Sequence, residues 1–496
     1  MQKSVQISVA PEERRSKQIR HEPRGSAVQH GACHEACNHD EGPKYSGLKS
    51  GQRVSQAQAG PAHSRGKHFF KPILTGSERQ NVKRRVVVTG IGVVSPNGIG
   101  REKFWDATKR AESGVRRISR FDASRYPVQI AGEVKDFDES LHIEAKERQH
   151  VSRCVPLGFA AAAEALADAG IEHEKMNRTE QRSIGVLVGS GGGSQEFTEE
   201  QYRLYYTGNE KQCSVYTIPT STIGTLASEI SMRFGFRGAS HIVSTGCTSS
   251  TDALGYAFRN IQGGHAQWAL VGGVDAPIAP LILRGFMVMR ILTSQWNQQP
   301  ERGSRPFSGD RSGFVLGEGA WFFVLEDYEH AKARGAHVYG EIAGYASTCE
   351  AFHRVRLEEC GEEPAYTMET ALRDAGVAPE AVGYIHYHGT STDLNDRIET
   401  RATRLAFNGH AFKLAGSSLK SLIGHPQGAS GAAGVAATLL AMRDGIAPPT
   451  INLENADPEC DLDYIPNEAR SLDFEYALAN CIAFGSKNSA LVLRKL

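Results

Sequence analysis

From Arg84 onward, short β-branched runs alternate with alanine-rich stretches, and this alternation narrows the possible folds more than any other feature. The strand candidates are Arg85–Gly90, Ile184–Gly189, Ile242–Ser244, Ala269–Gly272, Trp321–Leu325, Val338–Ile342, Tyr384–His386, Phe412–Ala415, Ala479–Phe484 and Ala490–Leu493. Between them lie helical patterns such as Leu157–Ala169 and Ala429–Met442. Apolar strands separated by helices predict an α/β protein with largely buried sheets. The strands fall into two series that meet near residue 335, which suits two duplicated halves, 84–335 and 336–496.

Residues 1–83 differ in kind. They carry 14 Lys and Arg against 7 Asp and Glu, with few large apolar residues and no periodicity. Such a segment buries too little surface to offset its ordering entropy, so it reads as a disordered basic tail. It lacks the apolar core of a secretory signal, and Glu12, Glu13, Glu22 and Glu35 count against a transit peptide, leaving an upstream start as another reading. Its Cys33, His34, Cys37 and His39 are metal-ligand types, but no second pair follows at zinc-site spacing. The chain has no apolar stretch long enough to cross a bilayer. A formal net charge of zero gives no sign of a nucleic-acid binder. Nine scattered cysteines suit a reducing, cytoplasmic setting better than a disulfide framework.

Val88-Thr-Gly90-Ile-Gly92-Val-Val-Ser95 resembles half of a dinucleotide fingerprint. Ser95 stands where the third glycine belongs, and Pro96-Asn97-Gly98 makes a turn, so these glycines read as tight strand-to-loop packing.

Three motifs carry chemistry. In His241-Ile-Val-Ser-Thr-Gly-Cys247-Thr-Ser-Ser a β-rich run ends before a cysteine that leads into a helix. A thiol at a helix N-terminus is expected to have a lowered pKa, and the free amides there can hold an oxyanion. Tyr384-Ile-His-Tyr-His388-Gly-Thr-Ser-Thr ends a strand in a histidine. Gly416-Ser-Ser-Leu-Lys420-Ser-Leu-Ile-Gly-His425-Pro runs from a strand into a helix start with one lysine and one histidine. Each histidine alone suits a packed core, but three strand-end motifs together suit one site, because α/β active sites gather beyond strand carboxyl ends.

With their surroundings, Cys247, His388 and His425 resemble the Cys–His–His signature of the β-ketoacyl-[acyl-carrier-protein] synthase II family, shared with type II polyketide ketosynthases. Ser304-Arg-Pro-Phe307, Gly313-Phe-Val-Leu-Gly-Glu-Gly319, Pro448-Pro-Thr-Ile-Asn452 and Pro458–Pro466 extend the likeness over Arg84–Leu496. The resemblance implies a thiolase-like α-β-α-β-α fold and decarboxylative Claisen condensation of malonyl-carrier protein with an acyl group on Cys247. It further implies enolate stabilisation by His388 and His425, with an oxyanion site at the Cys247 and Phe484 amides. Lys420 and Glu318 would be supporting residues, and Thr390 and Thr392 substrate contacts. No metal or redox cofactor is implied; acyl carrier protein would be the partner, and the assembly a homodimer or a heterodimer with a ketosynthase-like subunit.

The sequence also departs from that family. Ala483-Phe-Gly-Ser-Lys-Asn488 replaces the usual Gly-Phe-Gly-Gly-Thr-Asn gate, Ser308 and Ser312 replace acids, and Tyr387 replaces a smaller residue. Arg354 and Arg356 follow His353, itself read as structural, in an unusual loop. These differences point to a specialised substrate. The rival readings are ordinary fatty-acid elongation, a non-catalytic chain-length partner, and a thiolase, for which Cys481 would be the second cysteine.

Overall fold

The computed structural model describes residues 83–496, so the reading of the tail and its Cys33–His39 stretch falls outside the described residues apart from Lys83. Ten of the eleven strands in the main sheet form two series. The first is β1 (Val86–Ser95), β2 (Gly185–Gly189), β3 (Ser240–Val243), β4 (Trp268–Asp275) and β5 (Gly319–Asp327). The second is β6 (Gly340–Cys349), β7 (Val382–His386), β8 (Ala415–Ser417), β9 (Tyr476–Ala483) and β10 (Lys487–Arg494).

Across the sheet the order is β8-β7-β9-β10-β6-β1-β5-β4-β2-β3. Each series therefore has the same internal order, third-second-fourth-fifth-first. The orientations also repeat, with two antiparallel pairings followed by two parallel ones. Three antiparallel residue pairs, Val86↔Ile342, Val87↔Glu341 and Val88↔Gly340, join the halves into one sheet.

Five layers follow from which faces are apolar. Helices α2 (Ser249–Gln262) and α5 (Ser430–Asp444) lie in the central layer, packing Ala253, Ala257 and Phe258 with Ala432, Ala436 and Leu440 into the largest core. Nearly every residue of α5 is buried, as expected for a helix covered on all sides. Helix α1 (Cys154–Asp168) covers the outer face of the first half, and α3 (Glu362–Ala375) and α4 (Asp393–Phe407) cover the second. Among the described residues no helix is long and apolar enough to cross a membrane.

Two local expectations need correction. Gly90 and Gly92 pack against a helix, not a loop: a Cβ on Gly92 would lie 1.9 Å from the Ala161 carbonyl oxygen of α1. The Pro96-Asn97 turn does form, pairing Ser95 with Gly98. Phe412–Leu414 is not strand; Asn408–Lys413 coils as a 3₁₀ turn and the strand begins at Ala415. Phe412 is exposed and has no buried face to occupy.

Candidate active site

The three motifs converge at the carboxyl ends of parallel strands. β3 delivers Cys247, β7 delivers His388, and β8, the counterpart of β3 in the second half, delivers Lys420 and His425. Gly246 turns the chain in the left-handed region (φ 71°), placing Cys247 just before α2. Asp252, in the first turn of that helix, accepts from the hydroxyls of Thr245 (2.6 Å) and Thr248 (3.0 Å) and so fixes the turn. Cys247 Sγ and one ring nitrogen from each of His388 and His425 lie within 4.8 Å of one another. All three residues are buried, and they share one cavity with Phe314, Thr390, Thr392, Leu394 and Phe484.

Hydrogen bonding fixes both imidazole tautomers. His425 Nδ1 accepts from the Gln427 N–H (3.1 Å) and sits 3.0 Å from Ser430 Oγ. His388 Nδ1 lies 3.4 Å from the donor Lys420 Nζ and 3.4 Å from Cys481 Sγ, whose own proton goes to the Cys247 carbonyl (3.1 Å). Each neutral ring must then carry its proton on Nε2. Burial, helped by the positive charge of Lys420, holds both rings well below the usual imidazole range. The pair is therefore two neutral N–H donors whose Nδ1 lone pairs are already engaged, a poor donor set for a metal ion.

The thiol corrects an expectation. Burial pushes Cys247 up to about 12, against the pull of Lys420 and of the N–H groups of Phe484 and Cys247 itself. The helix start supplies donors, but desolvation outweighs them, so the resting group is a thiol. The N–H groups of Phe484 and Cys247, the two expected to form the oxyanion site, both act on the resting thiol.

Lys420 is buried, with its own pKa lowered by desolvation, and donates to the His388 carbonyl at 2.6 Å. Glu318 stands back from the chemistry as a buried structural acid, bound through two 2.9 Å hydrogen bonds by Arg153. Thr390 and Thr392 face the cavity with their hydroxyls 2.8 Å apart. Tyr387 points away from the site into the second-half core, against the stacked rings of Phe307 and Tyr464.

Sequence reasoning missed two carboxylates. Glu399 accepts from the N–H groups of His388 (2.6 Å) and Gly389 (2.7 Å) and from the Asn480 amide (2.6 Å). Burial raises it to about 7 against those donors. Asp275, at the end of β4, gathers the N–H groups of Gly191, Gly192, Gly193 and Gly428 beside the nucleophile turn. The available signal was an acid three residues beyond Asp396 on α4 and another at a strand end.

The altered gate is held by its new side chain. Ser486 adopts φ 62°, donates to the His353 carbonyl (2.9 Å) and accepts from the His353 N–H (3.1 Å). His353 Nδ1 in turn accepts from Val355 and Arg356, which line the catalytic cavity. Replacing Ser486 with glycine removes strain of about 1–3 kcal/mol and a pair of hydrogen bonds worth about 1 kcal/mol each, so stability should change little. Hydrogen exchange at 484–487 and 351–356 should nevertheless accelerate together; acceleration in only one segment would disprove the clamp.

The same assignment comes from comparison. Residues 83–331 match the β-ketoacyl synthase N-terminal domain, and residues 339–454 match the C-terminal domain. The chain belongs to the β-ketoacyl synthase family. It is 42% identical over 414 residues to a 3-oxoacyl-[acyl-carrier-protein] synthase 2 of Coxiella burnetii, covering 84% of this chain and 99% of that one. It is 41% identical to a putative polyketide β-ketoacyl synthase 1 of Streptomyces halstedii, over 83% of this chain and 98% of the relative. Among solved structures it is similar to a Burkholderia phymatum β-ketoacyl synthase (TM-score 0.77, 32% identity, covering 83% and 100%). It is also similar to a type II polyketide ketosynthase solved with its acyl carrier protein and a bound hexaketide (TM-score 0.76, 33% identity, covering 84% and 100%). These ketosynthases carry the thiolase-like fold, and the chain is an acyl-transferring condensing enzyme of fatty-acid or polyketide synthesis.

Proposed function

We propose that Cys247 carries the acyl group, that His388 and His425 stabilise the enolate, and that the acyl donors arrive on acyl carrier protein. The observation that carries this reading is the convergence of two neutral Nε2–H imidazoles on a thiol backed by two backbone amides.

The Cys247 sulfur attacks the acyl thioester. A new carbon–sulfur bond forms, and the carrier leaves as the thiol, taking the cysteine proton. Malonyl carrier then binds with its thioester oxygen between the two Nε2–H groups. Carbon dioxide departs, and the electron pair left behind is held as an enolate by those donors. The enolate carbon attacks the acyl carbon, the tetrahedral oxyanion rests on the Cys247 and Phe484 amides, and the cysteine leaves and regains a proton. Atoms and charge balance without a metal or redox cofactor.

Intact-protein mass spectrometry tests the assignment. Incubation with acyl carriers should give a wild-type adduct that malonyl carrier discharges as a 3-oxoacyl product, and Cys247→Ala should give none. An adduct persisting in Cys247→Ala would move the nucleophile elsewhere.

The altered Ser486 gate and the Arg354–Arg356 loop favour a polyketide or other unusual acyl intermediate over a saturated fatty chain. Equal or better turnover of saturated chains than of polyene or β-keto chains would count against it. The outer edge of β3 has no partner strand among the described residues, which supports a dimer, homomeric or with a ketosynthase-like subunit. A similar solved protein is a ketosynthase/chain length factor. The non-catalytic role is the weaker reading here, because Cys247, His388 and His425 are all intact. The seven described cysteines are free thiols, in keeping with a cytoplasmic enzyme.

A further inference from the structure

Asp275 is the last residue of β4, has no solvent exposure, and takes no part in the chemical steps above. Its Oδ1 accepts from Ser190 Oγ (2.7 Å) and from the N–H groups of Gly192 (3.1 Å) and Gly193 (3.2 Å). Its Oδ2 accepts from the N–H groups of Gly191 (2.7 Å) and Gly428 (2.6 Å). With donors at both oxygens there is no place for a carboxyl proton, so the group is a buried carboxylate. None of these partners is a cation. A buried charge held by hydrogen bonds alone is costly, which sets Asp275 apart from Glu318 with its arginine.

The partners come from both halves of the fold. Ser190–Gly193 follow β2 in the first half, and Gly428 lies just beyond His425 in the second. The two segments meet backbone to backbone: a Cβ on Gly428 would lie 2.2 Å from Gly191 N. A Cβ on Gly191 would lie 3.1 Å from Gly428 N and 3.4 Å from the carbonyl oxygen of Gly246, the residue before Cys247. The imidazole is tied to the same loop, because the Gln427 N–H donates to His425 Nδ1. One carboxylate thus binds the histidine loop to the turn against which the nucleophile turn rests.

We propose that Asp275 is a positioning residue that sets the spacing between Cys247 and His425. The proposal rests on the roles given to those two residues above. Acylation needs the sulfur and its amides, and decarboxylation needs the two imidazoles. Condensation alone needs both parts in register, since the enolate held at His425 must meet the acyl carbon on Cys247. An enolate that misses it takes up a proton instead, and the malonyl carrier leaves as acetyl carrier. Loosening the staple should therefore uncouple loss of carbon dioxide from formation of the carbon–carbon bond.

The test loads Cys247 with an acyl group, adds malonyl carrier, and weighs acetyl carrier against 3-oxoacyl carrier. Asp275→Asn turns an amide NH₂ toward backbone N–H donors. Its ratio of acetyl to 3-oxoacyl carrier should rise by about tenfold or more, since a misplacement of about 1 Å costs about 10²-fold. Gly191→Ala keeps the carboxylate and wedges the same contact by a few tenths of an ångström, so its ratio should rise less, in the same direction. A merely destabilised enzyme would lose all three steps together and leave the ratio where it was. An unchanged ratio in folded Asp275→Asn would overturn the proposal; if that variant does not fold, an unchanged ratio in Gly191→Ala overturns it. Failure of the condensing reading would look different, because wild type itself would then load no acyl group and make neither product.

Discussion

Replacing His425 with alanine is expected to slow decarboxylation of a malonyl thioester by about 10²–10³-fold while acylation of Cys247 remains measurable. The enolate oxygen would keep only one of its two donors, whereas in the proposed mechanism attack of the thiol on an acyl carrier would rely on the Cys247 and Phe484 amides. Asparagine at 425 should recover part of the loss, because an amide N–H can donate but cannot act as a base. The pH profile separates donor from base further. Burial and Lys420 hold both imidazoles well below 6.5, and in the proposed mechanism the neutral ring is the working form. Decarboxylation should therefore stay flat as pH falls through 6.5, with its acid limb appearing only at lower pH. Lys420→Met removes a positive charge that opposes protonation of both rings, so the limb should move toward neutrality. A wild-type rate that falls through pH 6.5 would mean that the rings are not held neutral.

The parts of this site legible in the sequence are those set by local order along the chain. A short apolar run giving way to small polar residues marks a strand end, and Cys247, His388, Lys420 and His425 all lie at or just beyond such ends. The repeat of strand series was visible for the same reason. The Cys247 pKa was not, because a helix start is a local feature while desolvation depends on what covers it from elsewhere, here Ala483 and Cys481 on β9. Glu399 and Asp275 were hidden for a related reason. They work by collecting N–H groups from segments that the sequence does not mark as neighbours, such as Gly191 and Gly428 at Asp275. The glycines of β1 were legible as close-packing residues, but nothing local says that the approaching backbone belongs to α1.

The largest stability effect is expected from Arg153→Met. Arg153 holds Glu318 through Nε and Nη2, both at 2.9 Å, while its Nη1 reaches Glu139 at 2.5 Å and its Nη2 also donates to the Val134 carbonyl. Glu318 has no solvent exposure, and without Arg153 its remaining donor among these contacts is the Val134 N–H. Removing one partner of a buried ion pair costs about 3–5 kcal/mol, far more than any exposed pair contributes, and the charge of nearby Arg120 offsets only part of it. Adding Glu318→Gln to Arg153→Met should recover part of the loss, because the charge itself is then gone. Thermal unfolding of wild type, single and double variants reads the effect; a single variant within about 1 kcal/mol of wild type would show that the pair is dispensable. The consequence reaches the chemistry through the backbone. Gly317, next to Glu318, donates its N–H to the His425 carbonyl at 2.9 Å, so loosening the ion pair loosens the strand segment that positions an enolate donor. A folded Arg153→Met enzyme should therefore lose decarboxylation more than acylation, the same asymmetry as His425→Ala but smaller.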